Sequence, residues 1–221
     1  MHNCVKRALL IVPLILGLIL FATPAKAQIG FVTGYGANLF SGPSFTSAES
    51  AEFESNGSFN LGMFYDFRFS RVTFRPGIFI RQVDFDWKLS GLDPAFFPLS
   101  EDLRVAEFPL DFLIHFPTPK VNPYVVLGPS FNFVHTDQPD LRQSLDREKG
   151  STSFTSFTLG AGIELAPQGW GVLFFPEIRY SLALSGFLSE DYTVRTINYA
   201  ADSSEKLSSL TFRLGISLPS Y

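Results

Sequence analysis

Three groupings of side chains in this sequence have the types and spacing for chemistry. Glu107, Asp111 and His115 recur at every fourth position, and in an extended strand residues so spaced share one face. A histidine beside carboxylates is the arrangement of an oriented general base or of a metal ligand set. No second His and no Cys shares that face, which favours the plainer alternative of a satisfied hydrogen-bond network. His135, near Asp137 and across a connection from Ser153, has the types of a rim base and nucleophile, as in an outer-membrane lipid acylase or deacylase, but nothing in the spacing joins them. Asp137, Asp140, Asp146 and Glu148 are oxygen donors of the kind that hold calcium, yet the EF-hand spacing is absent and a solvated loop explains them. Gly34-x-Gly36 and Gly160-x-Gly162 have the composition of phosphate loops without the helix that such loops require. No catalytic, cofactor-binding or metal residue is therefore assigned. No enzyme activity and no cofactor are expected.

The elements that position these residues are strands. From Phe59, one face reads Phe59, Leu61, Met63, Tyr65, Phe67, Phe69, and the other reads Ser58, Asn60, Gly62, Phe64, Asp66, Arg68. A second segment repeats the pattern, with Ala106, Phe108, Leu110, Phe112, Ile114 and Phe116 on one face. A helical period of 3.6 would mix the two sets. Six further segments follow the same rule with more noise: 29–40, 72–89, 124–135, 154–165, 172–184 and 207–218. In the 72–89 segment the phase slips near Gln82, at a bulge or where the strand leaves the membrane. Short links at Ser70-Arg71, 117–121 and 166–171 alternate with long polar ones at 41–57, 90–102, 136–152 and 185–206. That alternation is the mark of an up-and-down transmembrane barrel, here of about eight antiparallel strands with both termini in the periplasm.

The charges separate by parity. Asp66, Arg68, Arg75, Arg81, Glu107, Asp111, Glu164, Glu177, Arg179 and Arg213 all fall on the side opposite the apolar stripe, and His115 joins them. A soluble barrel would place them outside. A membrane barrel must keep them in, because an arginine facing lipid at the midplane costs about 2–4 kcal/mol. A narrow eight-stranded lumen is filled by side chains, so these eleven residues are expected to form a structural interior charge network. The expected pairs cluster Asp66, Arg68, Arg75, Arg81, Glu107 and Asp111, with Arg213 reaching Glu177 or Glu164. The inward glycines make room for Phe64, Phe79 and Phe175. Trp87, Phe96, Phe97, Trp170 and Tyr124 fall near strand ends, where membrane aromatics gather.

The first 27 residues stand apart. Lys6 and Arg7 precede an uncharged apolar run, and Ala25-Lys26-Ala27 is a small-residue cleavage signal before Gln28. That order is a secretory signal peptide, leaving residues 28–221 as one barrel domain. Its removal takes Cys4, so the mature chain has no thiol for disulfides or zinc. It also takes Lys6, Arg7 and Lys26 from a chain whose 17 Lys and Arg already fall short of 21 Asp and Glu, a balance that does not favour nucleic acid. No later run is long enough for a transmembrane helix. The 25 phenylalanines need an apolar surrounding, and lipid supplies one.

Three stretches carry a family resemblance: Glu107-Phe108-Pro109-Leu110; Asn122-Pro123-Tyr124-Val125 followed by Leu127-Gly128-Pro129; and Leu159-Gly160-Ala161-Gly162 before Pro176-Glu177-Ile178-Arg179. On these the whole mature chain resembles the PorT-like outer-membrane barrels of Bacteroidetes-type bacteria. The resemblance implies the fold and an outer-membrane location. It also implies, more narrowly, a component of the type IX secretion machinery. It brings no catalytic residues. Tyr221 supplies the terminal aromatic of such barrels, although Pro219 breaks the phase of Leu214, Ile216 and Leu218. The function expected is a non-enzymatic scaffold, adhesion or secretion component. Its partners are outer-membrane lipid and a protein met through the extracellular loops or the secretion machinery. A lipid-modifying enzyme with a rim His and Ser, or a small channel, are the alternatives.

Overall fold

The structure is a computed structural model, described here for residues 26–41, 52–88, 99–118, 121–135, 151–167, 170–186, 192–194, 197–199 and 206–218. Its strands are β1 (Lys26–Ser41), β2 (Glu52–Phe69), β3 (Val72–Lys88), β4 (Leu99–His115), β5 (Asn122–His135), β6 (Ser151–Glu164), β7 (Leu173–Ala183), β8 (Tyr192–Val194), β9 (Ile197–Tyr199) and β10 (Lys206–Ser217). Eight of them close a barrel in the order β1-β10-β7-β6-β5-β4-β3-β2, every pairing antiparallel. β8 and β9 form a separate hairpin inside what the sequence presents as one long polar connection. Of the expected signal peptide, residues 1–25 lie outside the described residues. Lys26 and Ala27 extend β1 opposite Arg68 and Phe67, and Gln28 pairs with Asp66.

Hydrogen-bonded partners traced once around the barrel do not return to their start. The row from His115 runs through Tyr124, Gly162, Glu177, Arg213, Gly34, Asn60 and Arg81, and comes back to β4 at Val105. This stagger is the shear that tilts the strands. The Cβ parity of a strand then assigns every residue to one of two surfaces. The outer surface is apolar and exposed: Ile80, Leu159, Ile178, Phe212 and Leu214 are among its residues. It is also ordered along the axis. Toward the long-connection end it carries Tyr35, Phe59, Phe108, Phe131, Phe133, Phe157, Tyr180 and Phe212. Toward the short-turn end it carries Tyr65, Phe67, Phe69, Phe74, Phe112, Phe116, Trp170 and Phe174. Aliphatic side chains, among them Met63, Ile78, Leu110, Leu127, Leu159, Ile178 and Leu214, lie between. The second belt is continuous across β2, β3 and β4, where Tyr65–Phe67, Phe67–Phe74 and Phe74–Phe112 have ring centroids 4.8, 6.2 and 5.2 Å apart.

Three expectations change. β2 begins at Glu52 and β4 at Leu99, because the ladders of β2 with β3 and of β3 with β4 continue through residues that read as loop. The irregularity sought near Gln82 is on the facing strand: the register shifts between Ser55 and Ser58, where Gly57 has φ 101°, while β3 alternates without a break through Asp84. Tyr124, expected at the interface, points inward and is buried, because its parity is that of Val126 and its direct partner is Gly162.

Tyr124 over Gly162 belongs to a pattern. Phe64 lies opposite Gly30, Phe79 opposite Gly62 and Phe175 opposite Gly215. Each large inward ring closes over a glycine of the neighbouring strand, so four aromatics fit one narrow lumen. With Val32, Leu113 and Val126 they form the interior apolar cluster. A Cβ on Gly62 would lie 2.6 Å from Phe79 Cγ and 2.5 Å from the Ile78 carbonyl oxygen. Gly62→Ala is therefore expected to cost about 1–3 kcal/mol, the range for overpacking. Phe79→Leu in the same chain should recover part of it. Urea midpoints in detergent micelles check this, and equal midpoints for the single and double variants would contradict the packing.

The charged interior as candidate functional site

All eleven residues of the expected network face the lumen. Asp66, Arg75, Arg81, Glu107, Asp111, His115, Glu164, Glu177, Arg179 and Arg213 are buried, and Arg68 is partly so at the short-turn end. In a medium that cannot solvate them, each charge needs a partner with good geometry.

The partners lie mostly across the lumen. In the order of the barrel, β2 faces β6, β3 faces β7 and β4 faces β10. Arg68 of β2 bonds Glu164 of β6. Arg75 of β3 forks onto Asp66 of the adjacent β2, with Nε–Oδ1 2.6 Å and Nη2–Oδ2 2.8 Å, and its Nη1 lies 3.7 Å from Glu177 of β7. Arg179 of β7 bonds both Glu177 beside it and Asp111 of β4. Arg213 of β10 reaches Glu107 of β4 at 3.5 Å. These bonds tie opposite walls together. The arginines are also clamped by rings: the Arg75 guanidinium lies 4.1 Å from the Phe64 centroid and 4.8 Å from that of Phe175, and that of Arg213 lies 4.5 Å from Phe79. Such cation–π contacts strengthen with desolvation.

Two expected groupings are rearranged. Arg213 goes to Glu107 rather than to Glu177 or Glu164, although Glu177 is its register partner, because Arg179 already occupies Glu177. The proposed set of His115 with Asp111 and Glu107 is not a unit. Those carboxylates are bound to Arg179 and Arg213. The His115 ring instead has Nε2 2.9 Å from Thr73 Oγ1 and Nδ1 3.1 Å from Asn122 Nδ2. Asn122 also donates to Glu164 Oε2 at 2.5 Å, and Tyr124 donates to Glu177 Oε2 at 3.1 Å. A histidine whose two nitrogens are taken by an amide and a hydroxyl inside a plug has the geometry of a brace. Among the described residues no cluster of His, Cys, Asp and Glu has the spacing for a metal ion.

At the other candidate place, His135 and Ser153 are exposed on the outer surface near the strand ends, opposite Ser151 and Phe133 respectively. Asp137 and the acidic set Asp140, Asp146 and Glu148 lie outside the described residues, as do Phe96 and Phe97.

Neutral polar residues that the charge pattern leaves unmarked complete the interior. Asn132 donates to Ser156 Oγ at 3.0 Å and Ser181 donates to the same oxygen at 3.1 Å. Asn60, Ser130, Thr158, Ser209 and Thr211 are buried around them. Their signal was available in the sequence, because each sits on the parity of the charges. In the middle of the lumen, the space among Val32, Phe64, Arg75, Phe79, Phe175, Glu177, Arg179 and Arg213 leaves no room for a water molecule. The arrangement is a filled plug.

No protein-family model matches the sequence, and no curated protein matches it. Solved structures with which it shares similarity include Neisserial surface protein A, at 15% identity and TM-score 0.44 over 86% of this chain and 96% of that one. Ail, the attachment invasion locus protein of Yersinia pestis, solved with the heparin analogue sucrose octasulfate, has 14% identity and TM-score 0.42 over 87% and 97%. The outer membrane protease OmpT of Escherichia coli has 5% identity and TM-score 0.40 over 88% and 95%.

Proposed function

We propose that this chain is an integral outer-membrane protein that neither conducts nor catalyses, and that it serves as a scaffold, adhesion or secretion-assembly component. The observation that carries this is the inversion of the barrel: ten buried or part-buried charged residues inside and a belt-ordered apolar surface outside. Burying that much charge while exposing Ile, Leu and Phe to water is the reverse of what a soluble barrel does. Two aromatic belts around an aliphatic middle are the arrangement of a barrel seated between two membrane interfaces. The strands suit the task, since about 9–11 tilted residues cross a bilayer. β2, β3 and β4, with 18, 17 and 17 residues, exceed that span.

The plug supports the non-conducting part. Ions would have to displace bidentate and cross-lumen pairs. The non-enzymatic part rests on His115 being held in that plug. The narrower role implied by the PorT-like resemblance is membership of a type IX secretion machine, with a protein partner at the long connections or at the periplasmic end. A small channel is the reading to test against. Expressed with its full leader, the protein is expected to fractionate with the outer membrane and to change gel mobility on heating. In planar bilayers it should show no steady conductance. Recovery from the soluble periplasm would sink the membrane proposal, and stable ohmic steps abolished by no interior variant would sink the plug.

A further inference from the structure

The maturation of the chain and the interior of the barrel meet at one residue. A cut after the Ala25-Lys26-Ala27 signal makes Gln28 the first residue of the mature chain. β1 carries Gln28 at the short-turn end, in register with Asp66 of β2. The uncut chain runs on along the same ladder, with Ala27 opposite Phe67 and Lys26 opposite Arg68. Cutting before Gln28 takes a lysine away from the position opposite an arginine, where like charges are unfavourable.

Gln28 is buried, and its side-chain Oε1 has no hydrogen-bond partner. The acids of this mouth are already matched. Asp66 receives both arms of Arg75, at 2.6 and 2.8 Å. Glu164 holds Arg68 on Oε1 and Asn122 on Oε2. Both oxygens of each acid are therefore engaged, and the two acids balance the two arginines. A mature chain with a free amine would bring a further cation, the α-ammonium of Gln28, to the ladder position beside Asp66. Burying a charge without a counter-charge is costly. An N-terminal glutamine has a chemical way out, because its α-amine reaches its own side-chain carbonyl carbon. An α-amine titrates at about 8, so a nucleophilic fraction is present at neutral pH.

We propose, on the reading of residues 1–27 as a leader, that the mature chain begins with pyroglutamate formed from Gln28, and that this neutral ring ends β1 inside the short-turn mouth. The α-nitrogen attacks the side-chain Cδ and a new C–N bond closes the lactam. The Cδ–Nε2 bond breaks, and the amide nitrogen leaves as ammonia with the proton given up by the amine. Nothing is oxidised or reduced, and no co-reactant is consumed. The ring keeps one N–H donor and one carbonyl acceptor and removes the ammonium. Because Gln28 is buried in the closed barrel, the ring forms after leader removal and before the barrel closes.

The test uses the full chain, expressed with its leader and purified from the cell envelope. The intact mass is expected to be that of residues 28–221 less one ammonia, and stepwise degradation should find no free N-terminal amine. Gln28→Asn cannot close an unstrained ring. Its mature chain should show the full mass, degrade from residue 28, and unfold several degrees lower in the heat-induced gel shift, because it buries the ammonium. A pyroglutamyl aminopeptidase should remove the ring from the tryptic peptide that begins at residue 28 and leave it in place on the folded barrel. Wild-type chain recovered with an open Gln28 would overturn the ring and leave the cut intact. A first residue other than 28 would overturn the leader reading and the ring with it. Removal of the ring from the folded barrel would overturn its place inside the mouth.

Discussion

Arg179→Leu is expected to be among the most damaging single substitutions in the barrel, at a cost of roughly 3–5 kcal/mol, the range for removing one partner of a buried ion pair. Arg179 bonds Asp111 and Glu177 at once. Asp111 is wholly buried, and its Oδ1 has no other partner. Without Arg179 its charge is stranded in the lumen. Glu177 is less exposed to the loss, since Tyr124 donates to it at 3.1 Å and Arg75 lies 3.7 Å away. The double variant Arg179→Leu with Asp111→Leu removes both the stranded acid and its cause, so it should be more stable than Arg179→Leu alone. The two sites are in contact and must be non-additive. Urea unfolding in detergent micelles of the wild type, the two singles and the double gives the coupling. Arg71→Leu, on the exposed Ser70-Arg71 turn, is the control and should stay within about 0.5 kcal/mol of the wild type, as surface substitutions do. If Arg179→Leu behaves like Arg71→Leu, the interior is wet and the plug is wrong.

That pairing also marks where the sequence stops being legible. Parity is a property of one strand, so period-two reading places Asp66, Glu107 or Arg213 on the inner face without any knowledge of neighbours. The partner of a lumen charge is a property of the closed barrel. Arg213 stands opposite Glu177 in the ladder and yet bonds Glu107 on the far wall, because shear and side-chain competition set who meets whom. The strand ends are hidden in the sequence for a related reason. Residues 52–57 and 99–102 are polar enough to read as loop, and only the cross-strand ladders of β2, β3 and β4 reveal that they continue as sheet. Proline is the opposite case, because the period of two carries through it. Pro76, Pro109, Pro129 and Pro176 stand inside strands of a sheet that has no edge, where proline is normally excluded. The ladders skip beside them, between Phe64 and Phe67 of β2 and between Pro109 and Phe112 of β4. The barrel tolerates these gaps because each interrupts a long ladder that resumes on both sides. Tyr124 reads as an interface residue because it stands near a strand start, whereas the glycine that admits it, Gly162, is remote in sequence.

The orientation of the whole molecule makes the last and most general test, in the contrast between Leu214→Arg and Leu218→Arg. Both leucines lie on the outer parity of one strand line, with 47% and 56% of their surface exposed. In water the two substitutions would be equivalent, and each would be nearly neutral, as exposed changes away from special features are. In a bilayer they differ by depth. Leu214 belongs to the aliphatic middle between the aromatic belts, while Leu218 follows the end of β10, beside the level of Ile29, whose carbonyl accepts its N–H at 3.1 Å. An arginine at the midplane costs about 2–4 kcal/mol and one near the interface about 0–1, since the long side chain there can carry its charge to the headgroups. Refolding into phosphatidylcholine vesicles, followed by tryptophan emission and by the gel shift, should show Leu214→Arg strongly impaired and Leu218→Arg close to the wild type. In a detergent micelle thin enough to let the arginine escape, the gap should narrow. Equal tolerance of the two in vesicles would mean that the apolar surface does not face lipid, and the barrel would then have to cover its Phe and Leu residues with protein instead.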